Sequence, residues 1–294
     1  MNVLITGARG QLGHELERML SSGMCELGEV PEAFEEANLV LADVEELDIS
    51  DRIAVESFLK QGCFDLVFNC AAVTNVDGCE RNPEAAFRIN SLGARNLAVA
   101  CGETGTRLVH ISTDYVFSGD GKVPYSEWDV CVPNSIYGKS KRLGEEYVMQ
   151  FCRDYAVVRT SWLYGYVGNN FVKTILRKAK EGGPLKVVSD QRGNPTNAVD
   201  LAYHLLKIAA SGERGIFHCT GIGECSWYEF AKAIVEYAEL PVRVEPCSTV
   251  EYPSPVRRPA YSALDHNMLR ATVGDGMREW HVALKSFINN YIQE

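Results

Sequence analysis

The sequence contains no apolar run that approaches the ~20 residues a helix needs to cross a bilayer. It also has no excess of basic residues: 29 Lys and Arg stand against 39 Asp and Glu, a formal net charge of −10. A general nucleic-acid binder carries a basic face, so we expect neither nucleic acid nor a membrane as a partner. An anionic small ligand is still compatible with this charge, because a few arginines and helix N-termini can bind it locally.

Paired cysteines are a further absence. The ten cysteines are scattered without a C-x-x-C pair, and several lie inside apolar runs. This pattern is typical of small buried side chains in a reducing compartment. No signal-peptide pattern precedes the first strand-like run, and the sequence therefore predicts a cytoplasmic protein.

Strand-like and helical segments alternate over the first 160 residues. Nearly continuous apolar runs predict strands buried on both faces, at residues 3–6, 39–42, 66–69, 108–111 and 156–159. Helical patterns fall between them, at residues 11–20, 51–60, 83–103 and 135–151. This alternation predicts an α/β fold with a Rossmann-type, doubly wound parallel sheet.

A glycine-rich turn follows the first predicted strand. Gly7, Gly10 and Gly13 have the spacing G-x-x-G-x-x-G between a buried strand and a helix start. Glycines there permit a tight turn, close approach of the backbone to a pyrophosphate, and close packing of helix on strand. The helix N-terminus adds free N–H groups for the phosphates. The motif in this context predicts a site for NADH or NADPH.

Asp43 ends the second predicted strand, where an acidic residue hydrogen-bonds the adenosine ribose of NADH. No arginine follows it, which favours NADH, but Arg9 in the glycine loop could reach the 2′-phosphate of NADPH. The choice of cofactor is therefore left open. An acidic insert around residues 28–38 makes the spacing from Gly13 longer than the usual ~20 residues, and a solvated turn aspartate is the alternative interpretation of Asp43.

The pattern loosens after residue 160. Predicted helices at residues 171–180, 199–210, 227–237 and 280–291 are separated by longer loops rich in Gly, Pro and Trp. We expect residues 1–160 to form a dinucleotide-binding Rossmann domain. Residues 161–294 would form a smaller C-terminal substrate-binding lobe that threads back onto the first domain.

Three residues predict the catalytic chemistry. Tyr137 and Lys141 lie four residues apart, one helical turn, and they follow a strand that ends in Thr113. Reduction of a ketone by hydride leaves an alkoxide, which needs a proton and a hydrogen-bond donor as it forms. A tyrosine has an ordinary pKa of ~10, and we expect the nearby ammonium and the cationic nicotinamide to lower it. Thr113 would donate a second hydrogen bond to the carbonyl oxygen.

Together these motifs resemble the extended short-chain dehydrogenase/reductase superfamily and, within it, the dTDP-4-dehydrorhamnose reductase family. The similarity extends over almost the whole chain, with motifs at residues 7–13, 69–77, 112–117, 137–141, 159–165, 190–196 and 258–262. The segments Ser-Thr-Asp-Tyr-Val-Phe (112–117) and Arg-Thr-Ser-Trp (159–162) are specific to this group rather than to the superfamily.

The resemblance implies reduction of the C4 ketone of dTDP-4-dehydro-L-rhamnose to dTDP-L-rhamnose, with a proton from Tyr137. It places Lys141 at the nicotinamide ribose. It also assigns cofactor contacts to Gly10, Gln11 and Leu12 (diphosphate), Asp48 and Ile49 (adenine), and Ala72, Val73, Thr74 and Ile111 (nicotinamide). Thr113 and Asp114 would contact the sugar. Trp162 would pack against it, since sugar C–H faces stack on indole, with plain core packing as the alternative interpretation. Arg258 is a candidate phosphate partner, with a solvated arginine as the alternative.

Some residues depart from the family pattern. Ser118 stands where the family usually has aspartate, and Val199 stands where a carboxylate would join Glu15 in a metal site between subunits. We therefore expect no metal and leave a homodimer open. Two other functions also stay open: another nucleotide-sugar reductase or epimerase, and a non-catalytic regulatory subunit of methionine adenosyltransferase. The sequence does not fix the sugar.

Overall fold

A six-stranded parallel sheet forms the centre of the computed structural model, which describes residues 1–252 and 254–293. Its strands are β1 (Asn2–Thr6), β2 (Asn38–Ala42), β3 (Leu66–Asn69), β4 (Arg107–Thr113), β5 (Tyr155–Thr160) and β6 (Gly215–His218). They lie in the order β6-β5-β4-β3-β1-β2, and every neighbouring pair is parallel. The predicted Rossmann-type sheet is confirmed, with β6 added from the C-terminal half.

Helices cover both faces of this sheet. In chain order they are α1 (Gln11–Ser22), α2 (Arg52–Gly62), α3 (Val76–Arg81), α4 (Pro83–Ala86), α5 (Ala94–Thr104), α6 (Ile136–Phe151), α7 (Phe171–Glu181), α8 (Ala198–Ser211), α9 (Trp227–Tyr237), α10 (Asn267–Ala271) and α11 (Trp280–Gln293). Alternate residues of β1 point to opposite faces. Val3 and Ile5 therefore join the core beneath α1 and α8, whereas Leu4 joins the core beneath α2, α5 and α6.

A third core lies outside the sheet. Aromatic and aliphatic side chains of α7, α9 and α11 form it, among them Phe230, Trp280 and Phe287. A short parallel pair, Leu185–Val188 with Val244–Cys247, packs beside them. Two-residue strands pair at Leu163–Tyr164 with Thr196–Asn197, and at Arg192–Gly193 with Cys225–Ser226. The boundary at residue 160 stays a prediction.

Two segments differ from the sequence-based expectation. The acidic insert contains a small hairpin, Met24–Cys25 with Gly28–Glu29, and a 3₁₀ turn at Glu32–Phe34 that buries Phe34 in the first core. The predicted helix at residues 83–103 is divided into α4, a π-helical segment at Phe87–Gly93, and α5. π-helical turns are often found at functional sites, and this one carries Asn90 towards the candidate site.

The described residues contain no membrane-spanning helix, no disulfide bond and no cluster of metal ligands. Across residues 1–252 and 254–293, no helix combines the length and apolarity that a bilayer crossing requires. All ten cysteines are free thiols, and six of them are buried, at positions 79, 101, 152, 219, 225 and 247. Within the same part of the chain, no group of three or more His, Cys, Asp or Glu is placed to hold a metal ion.

Candidate active site

The glycine loop lies at the carboxyl ends of β1 and β3, where the chain turns to opposite sides of the sheet. Gly7 has φ +63°, and a Cβ there would lie 2.7 Å from the backbone nitrogen of Ala71. At Gly13 a Cβ would lie 2.4 Å from the Gly7 carbonyl oxygen. Gly10 caps α1 without a side-chain hydrogen bond, so the first N–H groups of the helix are free for an anion. This cradle fits a dinucleotide pyrophosphate.

Gly7→Ala should therefore destabilise the protein much more than Gly23→Ala. Gly23 also has a positive φ, +73°, but a Cβ there meets nothing within 4 Å. Both substitutions incur about 1–2 kcal/mol for the left-handed backbone, and only Gly7→Ala adds a backbone clash. Thermal denaturation of the two variants measures the difference. Equal melting temperatures would contradict the close packing of the loop on Ala71.

A cleft of about 290 Å³ extends from this loop. Seven of the predicted cofactor-binding residues line it: Gly7, Gly10, Asp43, Asp48, Ile49, Ala72 and Val73. Gln11, Leu12 and Gly13 form the adjoining start of α1, where Leu12 is buried in the core and Gln11 accepts a hydrogen bond from Asn170 at 2.9 Å. Thr74 is exposed just beyond Val73, and Ile111 lies on β4.

Asp43 is fixed at the end of β2 by backbone hydrogen bonds. Its carboxylate accepts from the backbone N–H of Arg9 at 3.2 Å and from that of Val44 at 2.9 Å. Glu46 in turn accepts from the backbone N–H of Asp43 at 2.9 Å. The Arg9 guanidinium pairs with both Glu45 and Glu46. The arginine considered for a 2′-phosphate is therefore already held by two carboxylates.

Helix α6 brings Tyr137 and Lys141 to the end of β4. The Ser135 hydroxyl caps the helix by accepting from the Gly138 N–H at 3.0 Å, which sets Tyr137 in the first turn and Lys141 one turn later. Lys141 is buried, and its ammonium donates to the Ile111 carbonyl oxygen at 2.5 Å. Burial lowers the pKa of Lys141 to about 8, because desolvation disfavours the charged form.

Tyr137 lies within hydrogen-bonding reach of Thr113. Desolvation raises the pKa of Tyr137 above its ordinary value, and a hydrogen bond with Thr113 opposes the shift. Desolvation thus acts against the expected lowering, which depends on the cationic nicotinamide as well as on Lys141. The Lys141 ammonium is directed at the Ile111 carbonyl, and removal of water from the phenol dominates. The phenol consequently stays protonated at neutral pH, as a proton donor must before it reacts.

Asp114 follows Thr113 and is also buried, with 2% of its surface exposed. The Thr113 hydroxyl donates to its carboxylate at 2.9 Å. Burial raises the pKa of Asp114 to about 6, although hydrogen bonds from Ser262 and Thr113 favour the ionised form. A carboxylate with this pKa changes charge just below neutral pH.

Trp162 has a strained backbone, with φ +45°, a conformation rare for a bulky residue. Its indole stacks on that of Trp227, with ring centroids 3.5 Å apart and an angle of 6° between planes. A Cβ at Gly193 would lie 2.7 Å from this indole. Trp227, which packs against the third core, and Gly193 therefore hold the indole of Trp162 between them. Strain maintained by such packing is a feature of binding sites.

Arg258 lies near the same end of the sheet. Its guanidinium donates to the Asp77 carboxylate at 3.3 Å, and about one third of each side chain is exposed. It also contributes to a small cavity of about 40 Å³ with Tyr115, Ser118 and Asn134. The arginine is therefore partly paired and still accessible to an anion.

Sequence reasoning missed three residues at this site. The Asn90 amide accepts from the Val73 N–H at 2.8 Å and donates to the Val73 carbonyl at 3.0 Å, which fixes the cleft wall. The Tyr115 ring packs edge-on against Tyr137, with centroids 5.5 Å apart, and Trp227 supports Trp162. The sequence contained one signal for Asn90, namely a polar residue within the predicted helix at residues 83–103.

Comparison with known proteins gives matches along nearly the whole chain. The family model described as the RmlD substrate binding domain matches residues 1–293. The spore coat polysaccharide biosynthesis protein SpsK of Bacillus subtilis is 42% identical over 97% of this chain and 96% of its own. A dTDP-4-dehydrorhamnose reductase of Mycobacterium tuberculosis is 38% identical over 96% of this chain and 90% of its own. A dTDP-4-keto-6-deoxy-D-glucose reductase of Streptomyces niveus is 36% identical over 96% and 94%.

Solved structures agree with this similarity. A dTDP-4-dehydrorhamnose reductase of Clostridium acetobutylicum superposes with a TM-score of 0.94 at 44% identity and covers 100% of both chains. The Bacillus anthracis dTDP-4-dehydrorhamnose reductase, solved in complex with NADP, has a TM-score of 0.91 at 42% identity and covers 98% of this chain and 99% of that chain.

Proposed function

This chain belongs to the family of the RmlD substrate binding domain, and on that premise we propose that it reduces the C4 ketone of dTDP-4-dehydro-L-rhamnose to dTDP-L-rhamnose. The reaction class is that of an NAD(P)H-dependent oxidoreductase. One observation carries the proposal: Thr113, Tyr137 and Lys141 meet at the end of β4, beside the glycine-loop cleft.

The cofactor cleft fits NADH or NADPH, which when bound supplies the hydride. The free N–H groups at the start of α1 would bind the pyrophosphate, and Asp43 would accept a hydrogen bond from the adenosine ribose. Lys141 would bind the nicotinamide ribose with the N–H groups that do not reach Ile111. Asn90 holds Val73, and through it the wall of the cleft.

Tyr137 would donate its hydroxyl proton to the C4 oxygen as negative charge forms on that oxygen. The Thr113 hydroxyl can rotate from Asp114 towards the same oxygen and add a second hydrogen bond. Asp114 would accept from a sugar hydroxyl, and Trp162 would pack on a C–H face of the sugar. Arg258 would bind a phosphate of the dTDP group.

The test follows oxidation of NADH and of NADPH by the loss of nicotinamide absorbance, with dTDP-4-dehydro-L-rhamnose as substrate. Steady oxidation that yields dTDP-L-rhamnose is the expected result. The matched comparison uses dTDP-4-keto-6-deoxy-D-glucose, the sugar in the name of the Streptomyces niveus relative. Faster turnover of that sugar would replace the rhamnose assignment with another nucleotide-sugar reductase.

The remaining alternatives give different results in the same assay. An epimerase retains its cofactor and shows no net oxidation. A regulatory subunit of methionine adenosyltransferase would show no turnover and would co-purify with a partner. The Thr113, Tyr137 and Lys141 set supports catalysis over the regulatory role, whereas net cofactor oxidation separates a reductase from an epimerase.

The pH dependence of kcat/KM should be bell-shaped, with limbs near pH 6 and pH 8. As pH falls through the pKa of Asp114, about 6, the carboxylate is protonated and stops accepting from the sugar. As pH rises through the pKa of Lys141, about 8, the ammonium loses its charge. Such a profile reports groups of the free enzyme. Asp114→Asn should remove the acid limb alone, and its persistence in that variant would exclude Asp114 as its source.

A further inference from the structure

We propose that Glu45 and Glu46, by holding Arg9 beside Asp43, make this chain select NADH over NADPH. The inference rests on the proposed function only in requiring that the cleft binds a nicotinamide dinucleotide. The two cofactors differ by one phosphate, on the 2′ oxygen of the adenosine ribose. Selectivity therefore depends on the charges around the residue that receives this ribose, which is Asp43.

Asp43 lies at the junction of two clefts. One is the 290 Å³ cleft of the glycine loop. The other, about 410 Å³, is lined by Ala8, Arg9, His14, Glu17, Leu41, Asp43 and Glu46. A ribose that binds Asp43 would lie at the edge of this second cleft, where the carboxylates of Glu17, Asp43 and Glu46 outnumber the guanidinium of Arg9. A phosphate on this ribose adds a charge of about −1.5 to −2 to an acidic surface.

Arg9 is the cation of this surface that the sequence offered for a 2′-phosphate, and two carboxylates already compete for its guanidinium. Its guanidinium pairs with Glu45 on one nitrogen and with Glu46 on the other, at 2.5 Å for Glu46. Glu46 cannot move away freely, because its second carboxylate oxygen accepts from the Asp43 N–H at 2.9 Å. NADPH would have to displace the guanidinium from both carboxylates and still approach Asp43. NADH requires only an acceptor for its ribose hydroxyls, which Asp43 provides.

The experiment measures the Kd of NADH and of NADPH by calorimetric titration of the full chain without any sugar. From the Coulomb interaction of a phosphate with nearby solvated carboxylates, we expect NADH to bind at least about tenfold more tightly. The Glu45→Gln/Glu46→Gln variant should narrow this ratio by about tenfold, through tighter NADPH binding. The gain should shrink as salt is raised, because exposed charges are screened.

A matched control removes two negative charges at positions distant from the cofactor cleft. Glu35 and Glu36 are exposed, and Glu35 borders a cleft at the carboxyl end of α1. That end is roughly 18 Å from the glycine loop for a helix of this length. Glu35→Gln/Glu36→Gln should therefore leave the ratio unchanged. Adding Arg9→Ala to the Glu45→Gln/Glu46→Gln variant should remove the gain in NADPH affinity, since the released guanidinium provides it.

Each outcome has a distinct meaning. Equal affinity of the wild type for the two cofactors, or an unchanged ratio in Glu45→Gln/Glu46→Gln, would overturn the selectivity proposal and leave the reductase proposal standing. If the Glu35→Gln/Glu36→Gln control shifts the ratio of the two Kd values equally, the effect comes from net charge, and the selectivity proposal is overturned as well. Failure of both dinucleotides to bind would overturn the proposed function, and this inference with it.

Discussion

Tyr137→Phe should lower kcat by about 10²–10⁴-fold, the usual contribution of a positioned general acid. The substitution removes one hydroxyl and keeps the ring that packs edge-on against Tyr115. Burial keeps this hydroxyl protonated in the resting protein, and phenylalanine offers no proton to the C4 oxygen. Cofactor affinity should change little, because the glycine loop, Asp43 and Lys141 are untouched.

Tyr115→Phe is the matched control for this prediction. It makes the same chemical change on the neighbouring ring, 5.5 Å away, and burial likewise raises the pKa of Tyr115, to about 12. Single-turnover rates with saturating cofactor and keto sugar would compare the two variants at the chemical step. A loss in Tyr115→Phe as large as that in Tyr137→Phe, or full activity in Tyr137→Phe, would reject Tyr137 as the proton donor.

The sheet and the cofactor loop could be predicted because their signals are local. A strand buried on both faces must be a continuous apolar run, and β1 and β3 are such runs. The tight turn at Gly7 requires a glycine, since its φ is positive and Ala71 lies against it. The apolar run and the positive φ are properties of short segments, so the sequence indicates them directly, whereas the contact of Gly7 with Ala71 emerges only in the fold.

The remaining features depend on contacts between distant residues. Strand β6 is only four residues long and gains its place by pairing with β5. Trp162 is held by Trp227, which lies far along the chain, and no spacing rule connects the two. The one-turn spacing from Tyr137 to Lys141 likewise says nothing about where the ammonium points or how much water is removed from the phenol, and both affect the pKa of Tyr137.

Glu145→Gln should cost about 3–5 kcal/mol of stability, the usual result of breaking a buried ion pair. Glu145 and Arg159 are both at most 1% exposed, and the carboxylate accepts from the guanidinium twice, at 2.8 Å each. This pair attaches α6 to β5. Glutamine keeps the shape but removes the charge, so the Arg159 cation is left buried and uncompensated. Chemical denaturation would measure the loss in the free energy of unfolding.

The same variant has a second readout, which a merely structural role would not change. Glu145 lies one turn after Lys141, and its negative charge raises the pKa of the Lys141 ammonium against the larger effect of burial. Loss of that charge should move the base limb of the pH profile below pH 8. Glu146→Gln is the control, since Glu146 is half exposed and pairs only with Arg142, at 3.1 Å. A surface pair of this kind contributes about 0–1 kcal/mol, so equal effects of the two substitutions on stability would contradict the buried pair as the attachment of α6.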